Sequence, residues 1–239
     1  PGTHVVPMAV PQPNAVFGLP GVMREDPDFI PAYVANYILG GGGFSSRLMT
    51  EVREKRGLTY GISTGLRSYR KACGWVRQVA TRADAVNQTL DVVRQTMSDF
   101  AANGPTEQEL DDAKTYLTGS FPLAFDSNAG IAAQLGTYQR QGLDAGYVAR
   151  RNSLIQAVTL ADVRRVAKRL FDPARLTVMV AGSPAGGPVV QRPRPPVRPA
   201  PPPTTAQTAP QAAKPPMPAK PAPRTVDKPV AQPAQKAQP

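Results

Sequence analysis

Residues 40–60 read GGGGFSSRLMTEVREKRGLTY and place four glycines, a helix start, a charged helix and a strand start within twenty-one positions. Ser45 or Ser46 can cap the helix, and Phe44, Leu48 and Val52 line one side of it. Glu51 and Lys55 form a supporting pair one turn apart, and Gly57 is placed to end the helix. Residues 59–68 then read as a strand in which Tyr60, Ile62 and Leu66 share one parity. Residues 73–81 read as its partner, with Ser68-Tyr69-Arg70-Lys71 as the connection of a hairpin.

On the N-terminal side, Asn14 to Leu19 reads as a strand stopped by Pro20-Gly21. A helix over 27–39 follows, capped by Asp26 with Pro27 at its first position, and Ile30, Tyr33, Val34, Tyr37 and Ile38 share one face. On the C-terminal side, Ala83, Val86, Leu90, Val93, Met97 and Phe100 step by three and four, which marks a long amphipathic helix ended by Asn103-Gly104-Pro105. Thr106 with Glu109 forms a capping box for a helix that buries Leu110, Ala113 and Leu117. Ser127 caps the next, with Ile131, Leu135 and Tyr138 on one face, and another covers about 145–156. Thr159 with Asp162 opens a last helix, stopped by Asp172-Pro173, and Leu176 to Ala181 returns as a strand. Strands at both ends and in the middle, with helices grouped between them, give an α+β class: a mainly antiparallel sheet with helices packed on one face.

Composition divides the chain. From Pro188 onward lie 17 of the 28 prolines and no aromatic residue, so residues 186–239 are expected to be a disordered, Pro/Ala/Lys-rich basic tail and residues 1–185 the folded domain. The tail carries +7 of the formal net charge of +11. Without interleaved aromatics it offers no stacking platform, which argues against specific nucleic-acid binding and leaves weak contact with an anionic envelope. Cys73 is the single cysteine, so no intrachain disulfide exists, and a buried small hydrophobe is expected there. No apolar run reaches the ~18 residues of a membrane span. The chain opens at Pro1 in what reads as the approach to a strand, so an upstream segment is expected.

Catalytic groups are scarce. His4 is the only histidine, so neither H-E-x-x-H nor H-x-x-E-H can be written, and a Ser-His or Cys-His nucleophile lacks its base. Gly40 to Gly43 before a helix start suggests a phosphate cradle, but no Gly-Lys-Ser/Thr follows and a helix precedes, so a tight bend between two helices is the better reading. Arg53 and Tyr60 can be read two ways. The turn at Gly57 can bring both to one sheet edge, where a guanidinium and a phenol would donate to a peptide carbonyl. Alternatively Arg53 is a solvated charge and Tyr60, sharing parity with Ile62, is core.

Several collinear landmarks favour the first reading. They are the strand ending Gly-Leu-Pro-Gly, the GGGGFSSRL run, Glu-Val-Arg-Glu-Lys-Arg-Gly-Leu-Thr-Tyr, the Thr106 capping box, Phe121-Pro122 with Ser127-Asn128, and Asp172-Pro173-Ala174-Arg175-Leu176. Over residues 5–182 the chain resembles the C-terminal homologous domain, or non-catalytic subunit, of the insulinase-like M16 zinc peptidases. The resemblance implies that Arg53 and Tyr60 reach into a shared cavity and position the scissile carbonyl, with Gly40, Gly41, Gly42 and Gly43 as a structural loop nearby. It implies no metal ligand or cofactor in this chain. Zinc belongs to a partner domain bearing H-x-x-E-H, upstream in the same chain or on a separate subunit, and a peptide is the substrate. A non-catalytic scaffold or peptide-binding protein of the same fold is the alternative. The periplasm is the favoured compartment.

Overall fold

The computed structural model describes residues 1–69 and 72–184. Strands β1 (Gly2–Val6), β2 (Asn14–Pro20), β3 (Thr59–Ile62), β4 (Gly65–Ser68), β5 (Cys73–Thr81) and β6 (Thr177–Ala181) form one sheet in the order β1-β6-β2-β5-β3, with β4 continuing beside β5. Every pairing is antiparallel except β1 with β6. The helices are α1 (Phe29–Asn36), α2 (Val86–Asn103), α3 (Glu107–Gly119), α4 (Asn128–Arg140), α5 (Tyr147–Gln156) and α6 (Leu160–Leu170). The fold is the expected α+β arrangement. The expected tail lies outside the described residues, as do Arg70 and Lys71 of the hairpin connection.

Alternation along the strands sets the layers. Ala15, Phe17 and Leu19 of β2, Trp75 and Val79 of β5, and Val178 and Val180 of β6 are buried, whereas Val16, Val76 and Met179 between them are exposed. Phe17, Trp75, Phe171 and Phe100 run in series from sheet to helices with ring centroids 5.9, 5.5 and 5.9 Å apart. Each of these rings removes a large apolar area from water and adds a tilted or edge contact. Val86, Leu90, Val93, Met97 and Phe100 supply the buried stripe of α2.

Both expected capping boxes are present, at Thr106–Glu109 and Thr159–Asp162. Ser127 also caps α4, accepting from the Gly130 amide at 3.1 Å. α1, however, starts at Phe29 rather than residue 27. Asp26 turns the chain by accepting from the Asp28 amide at 2.8 Å, and buried Asp28 at the cap position pairs with Arg165 and Arg169 of α6. Pro31 falls in the first turn, where a missing N–H costs nothing. The hydroxyls of Ser45 and Ser46 donate backwards to the carbonyls of Gly42 and Gly43, at 2.9 and 2.7 Å, instead of accepting from helix amides. α4 buries none of its residues, and Ile131 and Leu135 are 38% and 40% exposed. β1 is a further strand, formed only because β6 returns beside it. Cys73 is half-buried rather than core.

The loop joining α1 to the hairpin is tied by one buried amide. Asn36 Oδ1 accepts from Thr64 Oγ1 and from Trp75 Nε1, each at 2.8 Å, and the Thr64 amide donates to Gly40 O at 2.9 Å. Thr64 thus sits between β3 and β4 and draws that edge of the sheet onto the end of α1.

Asn36→Leu leaves two buried donors without a partner, at about 1–3 kcal/mol each. We expect a loss of roughly 2–4 kcal/mol in urea denaturation and shifted emission from Trp75, the only tryptophan; a wild-type midpoint would refute the assignment. A second expectation concerns pH. Burial raises the Glu109 carboxyl, but hydrogen bonds from Arg47, at 2.7 Å to each oxygen, and from the Thr106 amide outweigh it and hold the pKa below its ordinary value. The hydrogen bonds of Arg169 do the same for Asp26. Depressed carboxylates stabilise the fold above the ordinary carboxylate range, about 4, and this contribution disappears as pH falls through their folded values. Glu109→Ala is expected to cost about 1 kcal/mol at neutral pH and less at pH ~3, read as urea midpoints at the two pH values.

Candidate functional site

The glycine run has a structural reason at each position, close packing at the first three and backbone conformation at Gly43. α1 continues into a π-helical turn, Tyr37–Gly41, closed by the Gly42 amide on Tyr37 O at 2.8 Å. A Cβ on Gly40 would lie 2.5 Å from Thr64 Oγ1, and one on Gly41 2.7 Å from Asn36 Nδ2. Gly43 has open space but a φ of +59°, which suits glycine. The four therefore let the chain turn tightly against Asn36, Tyr37 and Thr64.

The chain then enters a second π-helical segment, Met49–Glu54, with Met49 and Val52, and Leu48 just before it, in the core. Gly57, at φ +60°, ends it, donating to Arg53 O at 2.8 Å, and the next amide, Leu58, donates to Val52 O at 3.0 Å. Glu51 is held below its ordinary pKa by hydrogen bonds from Lys55 and Arg56 and so is spent within its own turn. Arg53 differs. Its guanidinium lies 4.6 Å from the centroid of the Phe44 ring, and among the described residues no carboxylate comes within ion-pair distance. Phe44, expected to line the helix with Leu48 and Val52, is instead 63% exposed and serves as this platform.

Tyr60 overturns the parity argument. The register of β3 against β5 shifts between Thr59, opposite Thr81, and Ile62, opposite Val79. The extra residue is a bulge, so Ile62 is buried while Tyr60, two positions earlier, is 87% exposed. Thr59 stitches the bulge: its hydroxyl reaches Ala80 O at 2.8 Å and accepts from the Gly61 amide at 3.2 Å. Thr81, opposite, is anchored from below through its hydroxyl to Leu58 O at 2.5 Å. β3 packs along Met49–Glu54, so Arg53 and Tyr60 sit on adjoining elements. A groove of about 940 Å³ opens on another side of that helical segment, lined by Arg47, Glu51, Arg56 and residues of α2, and includes neither Arg53 nor Tyr60.

Sequence reasoning missed Phe44, Thr59 and Asn36. Gly61 inside a strand was the available sign of the bulge. Nothing local marks Asn36, whose partners lie 28 and 39 positions away. Among the described residues no group of three His, Cys, Asp or Glu side chains gathers as a metal site. An arginine and a tyrosine can each donate to a carbonyl oxygen, but they supply neither nucleophile nor base.

Known proteins resemble this chain in sequence and fold. Residues 2–117 match the model of the peptidase M16 inactive domain. An uncharacterized zinc protease of Streptomyces coelicolor is 32% identical over 158 residues, covering 66% of this chain and 34% of that protein. The non-peptidase homolog YmxG of Helicobacter pylori is 31% identical over 174 residues, 70% of this chain and 39% of that protein. The chain thus spans little more than a third of the length of these curated relatives. The crystal structure of a peptidase M16 inactive domain from Pseudomonas fluorescens superposes with a TM-score of 0.67 at 35% identity, over 76% of this chain and 42% of that one. In sequence over residues 2–117 and in fold, the chain resembles the inactive domain of the M16 peptidase family.

Proposed function

We propose that this chain is the substrate-facing half of an M16-type zinc endopeptidase whose H-x-x-E-H domain lies elsewhere in the same polypeptide or on a second subunit. One observation carries the reading: an arginine without a carboxylate partner among the described residues and a tyrosine lifted into solvent by a stitched bulge stand on adjoining elements. Solvated surface charges need no aromatic platform, and an 87% exposed tyrosine adds nothing to the core. Both side chains are donors. The Arg53 guanidinium would grip the scissile carbonyl oxygen, and the Tyr60 hydroxyl would donate to it as negative charge develops. Zinc, held by the partner domain, would polarise that carbonyl and lower the pKa of water. The exposed Ile131 and Leu135 of α4 are apolar surface that such a partner would cover.

A scaffold without catalysis is the second reading, and the non-peptidase name of the Helicobacter pylori relative favours it. A periplasmic site of action is proposed on the family resemblance alone, and cell fractionation would test it.

In a reconstituted enzyme, Arg53→Ala and Tyr60→Phe are expected to lower peptide turnover by about 10²–10³-fold, the size of one lost oxyanion donor, with zinc content unchanged. Unaltered turnover would remove both roles and leave the scaffold reading. Separately, Ile131→Asp with Leu135→Asp is expected to weaken association with the zinc domain while leaving the circular dichroism and denaturation midpoint of this chain unchanged, because α4 buries no residue in it. Unweakened association would place the interface elsewhere.

A further inference from the structure

A cavity of about 440 Å³ lies between α1, α3, α4 and α5, away from Arg53 and Tyr60. Five of the seven tyrosines line it: Tyr33, Tyr37, Tyr116, Tyr138 and Tyr147. Tyr37 stacks on Tyr116 with centroids 5.3 Å apart, and Tyr138 meets Tyr147 edge-on at 5.1 Å. Two arginines complete the lining. Arg24 lies 4.1 Å from the Phe29 ring centroid and 4.7 Å from that of Tyr147. Among the described residues it makes no hydrogen bond and no ion pair. Arg151 is only 7% exposed, lies 4.2 Å from the Phe121 ring centroid, and spends its hydrogen bonds on neutral oxygens: Leu117 O and Asn152 Oδ1, both at 3.0 Å, and Tyr33 Oη at 3.3 Å.

A guanidinium does not deprotonate in a protein, so burial leaves Arg151 charged. Buried charges are ordinarily neutralised by a carboxylate, because an unpaired ion in low dielectric is costly. Here the neighbours cannot neutralise it. Burial holds the Tyr37 and Tyr138 phenols above their ordinary range, so they stay neutral at physiological pH. What remains is a positive cavity walled by ring faces, whose geometry suits a flat apolar group joined to one negative charge.

We propose that this cavity binds a small aromatic carboxylate, its ring among the tyrosines and its carboxylate against Arg24 and Arg151. A free aromatic acid and the C-terminal residue of a peptide both carry this chemistry, and the two sources are told apart by the test. The assignment does not depend on the peptidase reading.

Isothermal titration of the 239-residue chain tests it with N-acetyl-L-phenylalanine, its uncharged amide, and a hexapeptide ending in free phenylalanine. Saturable binding of the acid, with the amide at least tenfold weaker, is expected, since one charge-assisted contact is worth roughly a factor of ten. Binding of the hexapeptide as tight as the acid points to peptide termini, and its failure beside the acid to free acids; either outcome supports the site. Arg24→Gln and Arg151→Gln are each expected to weaken the acid about tenfold with the circular dichroism unchanged. Should Arg151→Gln unfold, Arg24→Gln decides, because its guanidinium holds no backbone group. No binding of the acid, equal binding of acid and amide, unchanged affinity in Arg24→Gln, or equal competition by inorganic phosphate would overturn the proposal.

Discussion

Asn36 holds the middle of this molecule together. Its buried carboxamide oxygen takes the indole proton of Trp75 from the core face of the sheet and the hydroxyl proton of Thr64 from its edge. Each partner is expensive to bury alone, so the three positions are fixed jointly. Gly40 and Gly41 follow from the same constraint, because a methyl group on either would collide with Thr64 or Asn36. From that corner the chain runs into the helical segment Met49–Glu54, which packs along β3.

The site inherits its geometry from this corner. Thr64 pins the chain just after the bulge, and Thr59 and Thr81 pin it before and opposite. Between these anchors Tyr60 has no buried neighbour to satisfy and projects outward. Arg53, in the last turn of its segment, is steadied by a ring instead of a carboxylate and so keeps its charge available. A hydrophobic core elsewhere supplies the stability that such an exposed arrangement does not.

Much of the fold could be read in advance because its signals are local. The Thr106–Glu109 and Thr159–Asp162 boxes and the spacing of Val86 to Phe100 each need only neighbours within a few residues, whereas the strand expected over 59–68 is divided into β3 and β4 by its pairing with β5. The same reasoning failed where a competing partner intervened. Ser45 and Ser46 gave their hydroxyls to Gly42 and Gly43, since the tight turn left those carbonyls within reach. Asp28 displaced Asp26 as the cap of α1 because Arg165 and Arg169 draw it inward from α6.

Sequence alone determined the class of the fold, the one-sided burial of its strands, and the pairing of Arg53 with Tyr60 as residues of interest by family resemblance. Tertiary structure decided which face Tyr60 takes, since a single extra residue in β3 reverses the alternation that parity assumes. It also decided that five tyrosines from four helices and turns enclose two arginines, a convergence no local pattern encodes. The physical reason is common to both: side-chain direction in a strand, and company in a cavity, depend on elements far apart in the chain.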